Sequence, residues 1–163
     1  MLHIDFLETV IGRLTITASD AGITSLAFTA NNKVIPNENA HTDLAKGELM
    51  AYFDRELTTF TVPMDLRGYS GFSYRVWMEL IKIPYGSTIS YKTLAISLGD
   101  VKCIRAAATA NGRNPIPILV PCHRVIGSDG SLTGYALGLD IKKELLVLEN
   151  ADFNHARQLI LSL

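Results

Sequence analysis

Cys122 stands between Pro121 and the pair His123-Arg124, so a candidate nucleophile, a base and a cation meet at the end of the apolar run Ile118-Leu119-Val120. Cysteine is intrinsically nucleophilic, and an unperturbed thiol with a pKa of about 8.5 needs modest help to react as a thiolate at neutral pH. The same residues also suit a buried apolar cysteine beside a hydrogen-bonded histidine, and adjacency alone does not separate the two. Pro121 biases Val120 away from helix, which predicts that Cys122 follows an extended segment at the edge of a cavity.

The elements that must hold this stretch fall into two parts, 1–68 and 69–163, divided at Gly68-Tyr69-Ser70-Gly71. In the first, Ile4–Leu7, Leu14–Thr17 and Thr24–Phe28 read as an antiparallel sheet, with turns at Gly12-Arg13 and Asp20-Ala21-Gly22. Asn31–Asn37 reads as loop and Thr42–Leu57 as a helix with Leu44, Leu49, Tyr52 and Phe53 on its apolar side. Phe60–Leu66 has a strand pattern, and Pro63 places it at an edge.

The second part is mainly helical. Ser70 is placed to cap a helix over Phe72–Ile83, which Pro84-Tyr85-Gly86 ends. Ser90 caps the next, stopped by Gly99, and Asp100 caps a third at once, giving a helix-turn-helix pattern. In that third helix Val101, Ile104 and Ala108 are expected toward the core and Lys102 and Arg105 toward solvent. Ala106, Ala107, Ala108 and Ala110 give it a thin surface able to approach a groove, although alanines also simply favour helix. Gly127–Gly134 is a Gly/Ser-rich loop that could approach a planar ligand or form an ordinary hairpin turn. Leu139–Glu149 reads as a helix with Leu145 and Leu148 inward and Lys142, Lys143 and Glu144 outward, followed by a short helix using Phe153, Ala156, Leu159 and Ile160.

At 163 residues and 48% hydrophobic content, the chain can build a substantial core. Cys103 and Cys122 are its only cysteines, which argues against a disulfide scaffold and fits a reducing compartment. No leader pattern and no 18-residue apolar run occurs, so a cytoplasmic protein without membrane attachment is expected. The net charge of −1 hides an asymmetry. Residues 1–71 carry five cations against nine carboxylates, whereas 84–125 carry Lys92, Lys102, Arg105, Arg113 and Arg124 against Asp100 alone. That basic segment permits an anion-binding face, and equally an ordinary solvated surface.

The run from Asn114 to Ile126, containing Pro121-Cys122-His123-Arg124, closely resembles the methylated-DNA:protein-cysteine methyltransferases, which repair O6-alkylguanine in DNA. The likeness continues through Gly127–Tyr135 and Gly138–Glu149 and reaches back over Val76-Trp77, Ile83-Pro84-Tyr85-Gly86 and Ser90-Tyr91. It implies an α/β protein: a ribonuclease-H-like N-terminal domain packed on a winged-helix C-terminal domain. It also implies that the protein is monomeric in its free form, binds double-stranded DNA through the minor groove, flips the damaged nucleotide and needs no cofactor or metal.

Carried onto this chain, the resemblance makes Cys122 the alkyl acceptor, His123 its proton acceptor through a water, and Glu149 the carboxylate that orients the imidazole. Tyr91 becomes a phosphate contact and proton donor to the departing guanine, Asn114 a support for the active-site turn, and Arg105 the residue that fills the vacated stack. Lys102, Arg113 and Arg124 join the DNA-contacting set, Arg124 alternatively anchoring the local fold. Val125, Tyr135 and Ala136 line the guanine pocket. The implied reaction is one irreversible transfer, with O4-methylthymine as a weaker substrate.

The chain departs from its relatives at Tyr135-Ala136-Leu137-Gly138-Leu139, where Leu137 replaces a frequent glycine and could narrow the pocket. Phe72-Ser73 replaces a frequent aromatic-Gln pair, and Asn150 another common glycine. Three rival functions are weaker. His3, His41, Cys103, Cys122, His123 and His155 lack close zinc-ligand spacing. A cysteine hydrolase needs an oxyanion site that the sequence does not display. A non-enzymatic lesion binder of the alkyltransferase-like kind would not keep a reactive cysteine.

Overall fold

The computed structural model describes residues 1–29 and 33–151. Its chain divides into two compact units, Met1–Gly68 with Pro115–Pro117, and Tyr69–Asn114 with the residues from Ile118 onward. The helix expected around Phe153–Ile160 lies outside the described residues.

The first unit holds a three-stranded antiparallel sheet in the order β1 (His3–Thr9), β2 (Gly12–Ser19), β3 (Gly22–Phe28). Along β2, buried Leu14, Ile16 and Ala18 alternate with more exposed neighbours, as one covered sheet face requires. The cover is α1 (Ala40–Phe53), which buries Ala45, Leu49 and Tyr52. It starts earlier than the hydrophobic pattern suggests because Asn39 caps it, accepting from the backbone N–H of Thr42 at 2.9 Å while the Thr42 hydroxyl accepts from that of Asn39. Leu44, expected inward, is exposed.

Phe60–Leu66 is not a strand. It makes a single parallel bridge, Met64 to Ile23, with the Ile23 N–H donating to Pro63 O at 2.8 Å. Pro63 has no N–H with which to extend a ladder. The buried Glu48 carboxylate instead pins the segment, accepting from the backbone N–H groups of Thr61 and Val62. Gly22 is obligatory beside it: its φ is +154°, and an added Cβ would lie 2.5 Å from Pro63 O.

The second unit packs α2 (Gly71–Ile81), α3 (Tyr91–Ser97) and α4 (Ile104–Gly112) together, with α5 (Leu139–Leu148) against the Cys122 segment. A short parallel pair joins β4 (Ile89–Ser90) to β5 (Val125–Ile126). Trp77 on α2 donates its indole N–H to Ala110 O on α4 at 2.9 Å, fixing that crossing. Ser70 occupies the cap position of α2 but makes no side-chain cap bond, whereas Ser90 caps α3 by accepting from the Thr93 N–H.

Asp100 accepts from the Lys102 N–H, but it caps a 3₁₀ turn over Val101–Cys103, and α4 begins only at Ile104. That extra turn rotates the helix from the expected phase. Val101 is exposed, and the buried face consists of Ala107, Ala110 and Asn111. Two of the four alanines expected on the surface are therefore core residues, and Ala106 remains exposed. No helix among the described residues is long and apolar enough to cross a membrane.

Candidate active site

The turn carrying Cys122 is built by backbone geometry that few residues tolerate. Pro121, at φ −80° and ψ 62°, is the centre of an inverse γ-turn in which the Cys122 N–H donates to Val120 O at 2.8 Å. Ile118 sits at φ +76°, a strained value for a β-branched side chain. Asn114 holds the turn: its Nδ2 donates to Val120 O at 2.8 Å and to Cys122 Sγ at 3.1 Å. It therefore touches the sulfur as well as supporting the loop, a closer role than the sequence resemblance implied.

Cys122, His123 and Arg124 form one 3₁₀ turn, and all three are buried. His123 Nε2 lies 2.7 Å from Glu149 Oε1, while Arg124 donates from Nε to Oε2 and from Nη2 to Oε1, both at 2.9 Å. The Gly86 N–H also donates to Oε2, at 3.3 Å. Gly86 has φ +75°, and a Cβ there would come within 3.2 Å of Glu149 O, so the Pro84-Tyr85-Gly86 stop also makes room for the Glu149 backbone carbonyl. Asn150, where relatives often have glycine, takes φ +51°, a left-handed value that asparagine tolerates.

Arg124 is not available to DNA. Its guanidinium is spent on Glu149 and on Ile83 O, to which Nη1 donates at 2.7 Å. Removing such a fully bonded cation from its buried partner would cost more than one phosphate contact returns.

Burial pushes the Cys122 thiol up to about 11, although the Asn114 hydrogen bond and the Lys142 charge pull it down. The thiol is thus protonated at rest in the free protein, rather than a ready thiolate. Burial also lowers the His123 pKa, against the pull of Glu149, so the ring is neutral. Burial alone would raise Glu149, but hydrogen bonds from His123 and Arg124 outweigh it and hold the carboxyl well below the usual range. An ionised Glu149 must accept from Nε2–H, leaving His123 Nδ1 as the basic nitrogen. That atom is buried and without a partner, and among the described residues it makes no direct hydrogen bond to Cys122.

On the other side of the cysteine, Tyr91 is buried. Its hydroxyl donates to Thr133 O at 2.7 Å, and burial raises its pKa. Lys142, expected on the surface, is completely buried; its Nζ donates to Val125 O at 2.6 Å and Thr133 O at 2.8 Å and lies 3.4 Å from Tyr91 Oη. Burial brings its pKa down to about 8. A sequence signal existed: Lys142 shares the i, i+3, i+4, i+7 face of α5 with Leu145, Leu146 and Glu149. Asn111, also unnoticed, is wholly buried and donates from Nδ2 to Cys122 O at 3.2 Å.

Among the other candidates, Val125 is buried, with its carbonyl engaged by Lys142. Tyr135 is half-buried, with its ring 6.4 Å from that of His123, and Ala136 is exposed. Lys102, Arg105 and Arg113 are exposed along the edge of α4. Among the described residues no group of three or more His, Cys, Asp or Glu side chains could hold a metal ion.

The chain matches two family profiles: the 6-O-methylguanine DNA methyltransferase ribonuclease-like domain over residues 2–66, and the DNA-binding domain of the same family over 71–151. It is 42% identical to the methylated-DNA–protein-cysteine methyltransferase of Methanosarcina barkeri, over 91% of this chain and 97% of that protein. It is equally identical to the Mycobacterium bovis protein of the same name, over 93% and 94%. The crystal structure of Mycobacterium tuberculosis O6-methylguanine methyltransferase superposes with a TM-score of 0.82 at 41% identity, over 92% of this chain and 93% of that one. A DNA complex of the M. tuberculosis protein gives 0.82 at 39% identity, over 94% and 98%. With both domains matched, the chain belongs to the O6-methylguanine-DNA methyltransferase family of DNA-repair alkyltransferases.

Proposed function

We propose that the protein repairs O6-methylguanine in DNA by moving the methyl group irreversibly onto Cys122, once per molecule, with slower action on O4-methylthymine. The observation that carries this reading is the position of Cys122 Sγ: it accepts a hydrogen bond from Asn114 on one side, while the next residue is a neutral His123 fixed by Glu149.

DNA approaches α4 along the minor groove, where exposed Ala106 offers little bulk and Lys102, Arg105 and Arg113 meet phosphates. The damaged nucleotide turns out of the stack into the space beside Tyr135, and Arg105 fills its place. His123 Nδ1 takes the thiol proton through a water as sulfur attacks the methyl carbon. Glu149 stabilises the imidazolium that results. The carbon–O6 bond breaks, and Tyr91 protonates the departing guanine, which sheds the charge of a poor leaving group. A thioether has no easy route back to thiol, so the protein is consumed. The two free cysteines fit action in the reducing cytoplasm.

Mass analysis after incubation with O6-methylguanine DNA tests the reading. The peptide containing Cys122 should gain one methylene mass, and Cys122→Ser should abolish the gain. Specific binding to the damaged duplex without an adduct would instead make the protein a lesion binder.

A further inference from the structure

Asn111 has an unusual balance of hydrogen bonds for a wholly buried amide. Its Nδ2 reaches two atoms of the site, Cys122 O at 3.2 Å and Tyr91 Oη at 3.5 Å, while its Oδ1 is buried without a partner. The orientation is chemically determined. Cys122 O can only accept, so the amide must present its nitrogen there, and the reversed amide would oppose two carbonyl oxygens. A leucine would fill the same volume without burying an orphan acceptor, so packing does not account for an asparagine at this position.

Tyr91 Oη has one proton and two lone pairs. Its proton goes to Thr133 O, and its lone pairs face Asn111 Nδ2 and Lys142 Nζ, at 3.5 and 3.4 Å. With donors on both lone pairs, the phenol can act only as a donor toward whatever acceptor replaces Thr133 O. Both contacts are long at rest. Hydrogen bonds to an oxygen gaining negative charge shorten and strengthen, so these donors gain most when Tyr91 gives up its proton. The Asn111 contact also opposes the burial that raises the Tyr91 pKa.

We infer that Asn111 is a positioning residue for proton donation: it aims the Tyr91 phenol at the departing guanine and stabilises the phenolate that results, while tying Tyr91 to the Cys122 peptide. The inference rests on the repair reaction proposed above. In that step the sulfur–carbon bond forms as the carbon–O6 bond breaks, and the electron pair passes to guanine, which takes the Tyr91 proton. The thiol proton rests on His123 and later returns through water to the Tyr91 oxygen, so the protein ends neutral at both sites.

The test compares two methyl donors, O6-methylguanine DNA and methyl iodide, by the mass of the Cys122 peptide. Iodide leaves without protonation, so only the DNA reaction needs the donor. Asn111→Leu should slow transfer from DNA by about tenfold to a hundredfold, a share of what a positioned acid contributes. It should leave the methyl iodide rate within about twofold, and in a Tyr91→Phe background it should add no further loss, as groups acting in one unit are non-additive. Asn111→Ala, which removes the donors without adding bulk or charge, supplies the same comparison should the leucine variant unfold. Equal losses with both methyl donors, losses additive with Tyr91→Phe, or an undiminished DNA rate in a folded variant would overturn the inference while leaving the repair reading intact. Wild-type protein that takes no methyl from DNA would remove both.

Discussion

Glu149 Oε1 lies 2.7 Å from His123 Nε2, and neither side chain reaches solvent. This contact does two things. It places the ring proton on Nε2 and so turns Nδ1 into the base, and it closes an ion pair that also neutralises Arg124. One carboxylate therefore serves both the chemistry and the fold.

Glu149→Gln separates those duties. The Arg124 guanidinium stays buried without its counter-charge, which should cost about 3 kcal/mol or more of stability. Methyl transfer should slow about a hundredfold because the imidazolium loses its partner. Urea unfolding and single-turnover transfer measure the two effects. Unchanged unfolding would show that Arg124 finds another partner.

The same group sets the acid limit. Glu149 has a folded pKa below its unfolded value of about 4.3, so its stabilisation is complete above that pH and is lost as pH falls further. His123 is also lowered: its contribution is complete above about pH 6.5 and declines as pH drops below that, because the unfolded ring takes up a proton that the buried ring resists. Both act in one direction, so unfolding free energy should fall steadily from about pH 6.5 to 3. Glu149→Gln should flatten the lower part of that curve, and an equally steep acid limb in the variant would contradict the assignment.

Arg105 and Arg124 should behave oppositely, although both are arginines of the basic segment. Arg105 is exposed, so Arg105→Ala should leave unfolding within about 0.5 kcal/mol. It should also weaken DNA binding and reduce the slope of log affinity against log salt by about 1. Arg124→Ala should instead cost about 3–5 kcal/mol by orphaning Glu149. Binding isotherms at several salt concentrations, beside denaturation curves, distinguish them.

Leu137 is half-buried next to Tyr135 and Ala136 in the segment leading to α5. Leu137→Gly should raise transfer from O6-benzylguanine relative to O6-methylguanine by widening the pocket. Equal relative rates in both proteins would show that this side chain does not limit the alkyl group.

Much of the architecture was legible in the chain because its signals are local. Strand-like runs between the turns at Gly12-Arg13 and Asp20-Ala21-Gly22 marked the sheet, Ser90 and Gly99 bounded α3, and the Pro-Cys-His-Arg run, with Glu149 added by the family resemblance, marked the candidate site. Charged side chains were the least legible. Lys142 reads as a surface residue by type, and Arg124 as either a DNA contact or an anchor of the local fold; both lie inside, with Arg124 in the anchoring role, because carbonyls and a carboxylate from distant segments meet their charges there. Asn111 passed unnoticed on the α4 face that also carries Ala107 and Ala110. The sequence by itself determined which side chains are candidates for the chemistry and which elements carry them. Only the tertiary structure decided which polar side chains are desolvated and what satisfies them, since the cost of burying a charge is settled by partners far away in the chain.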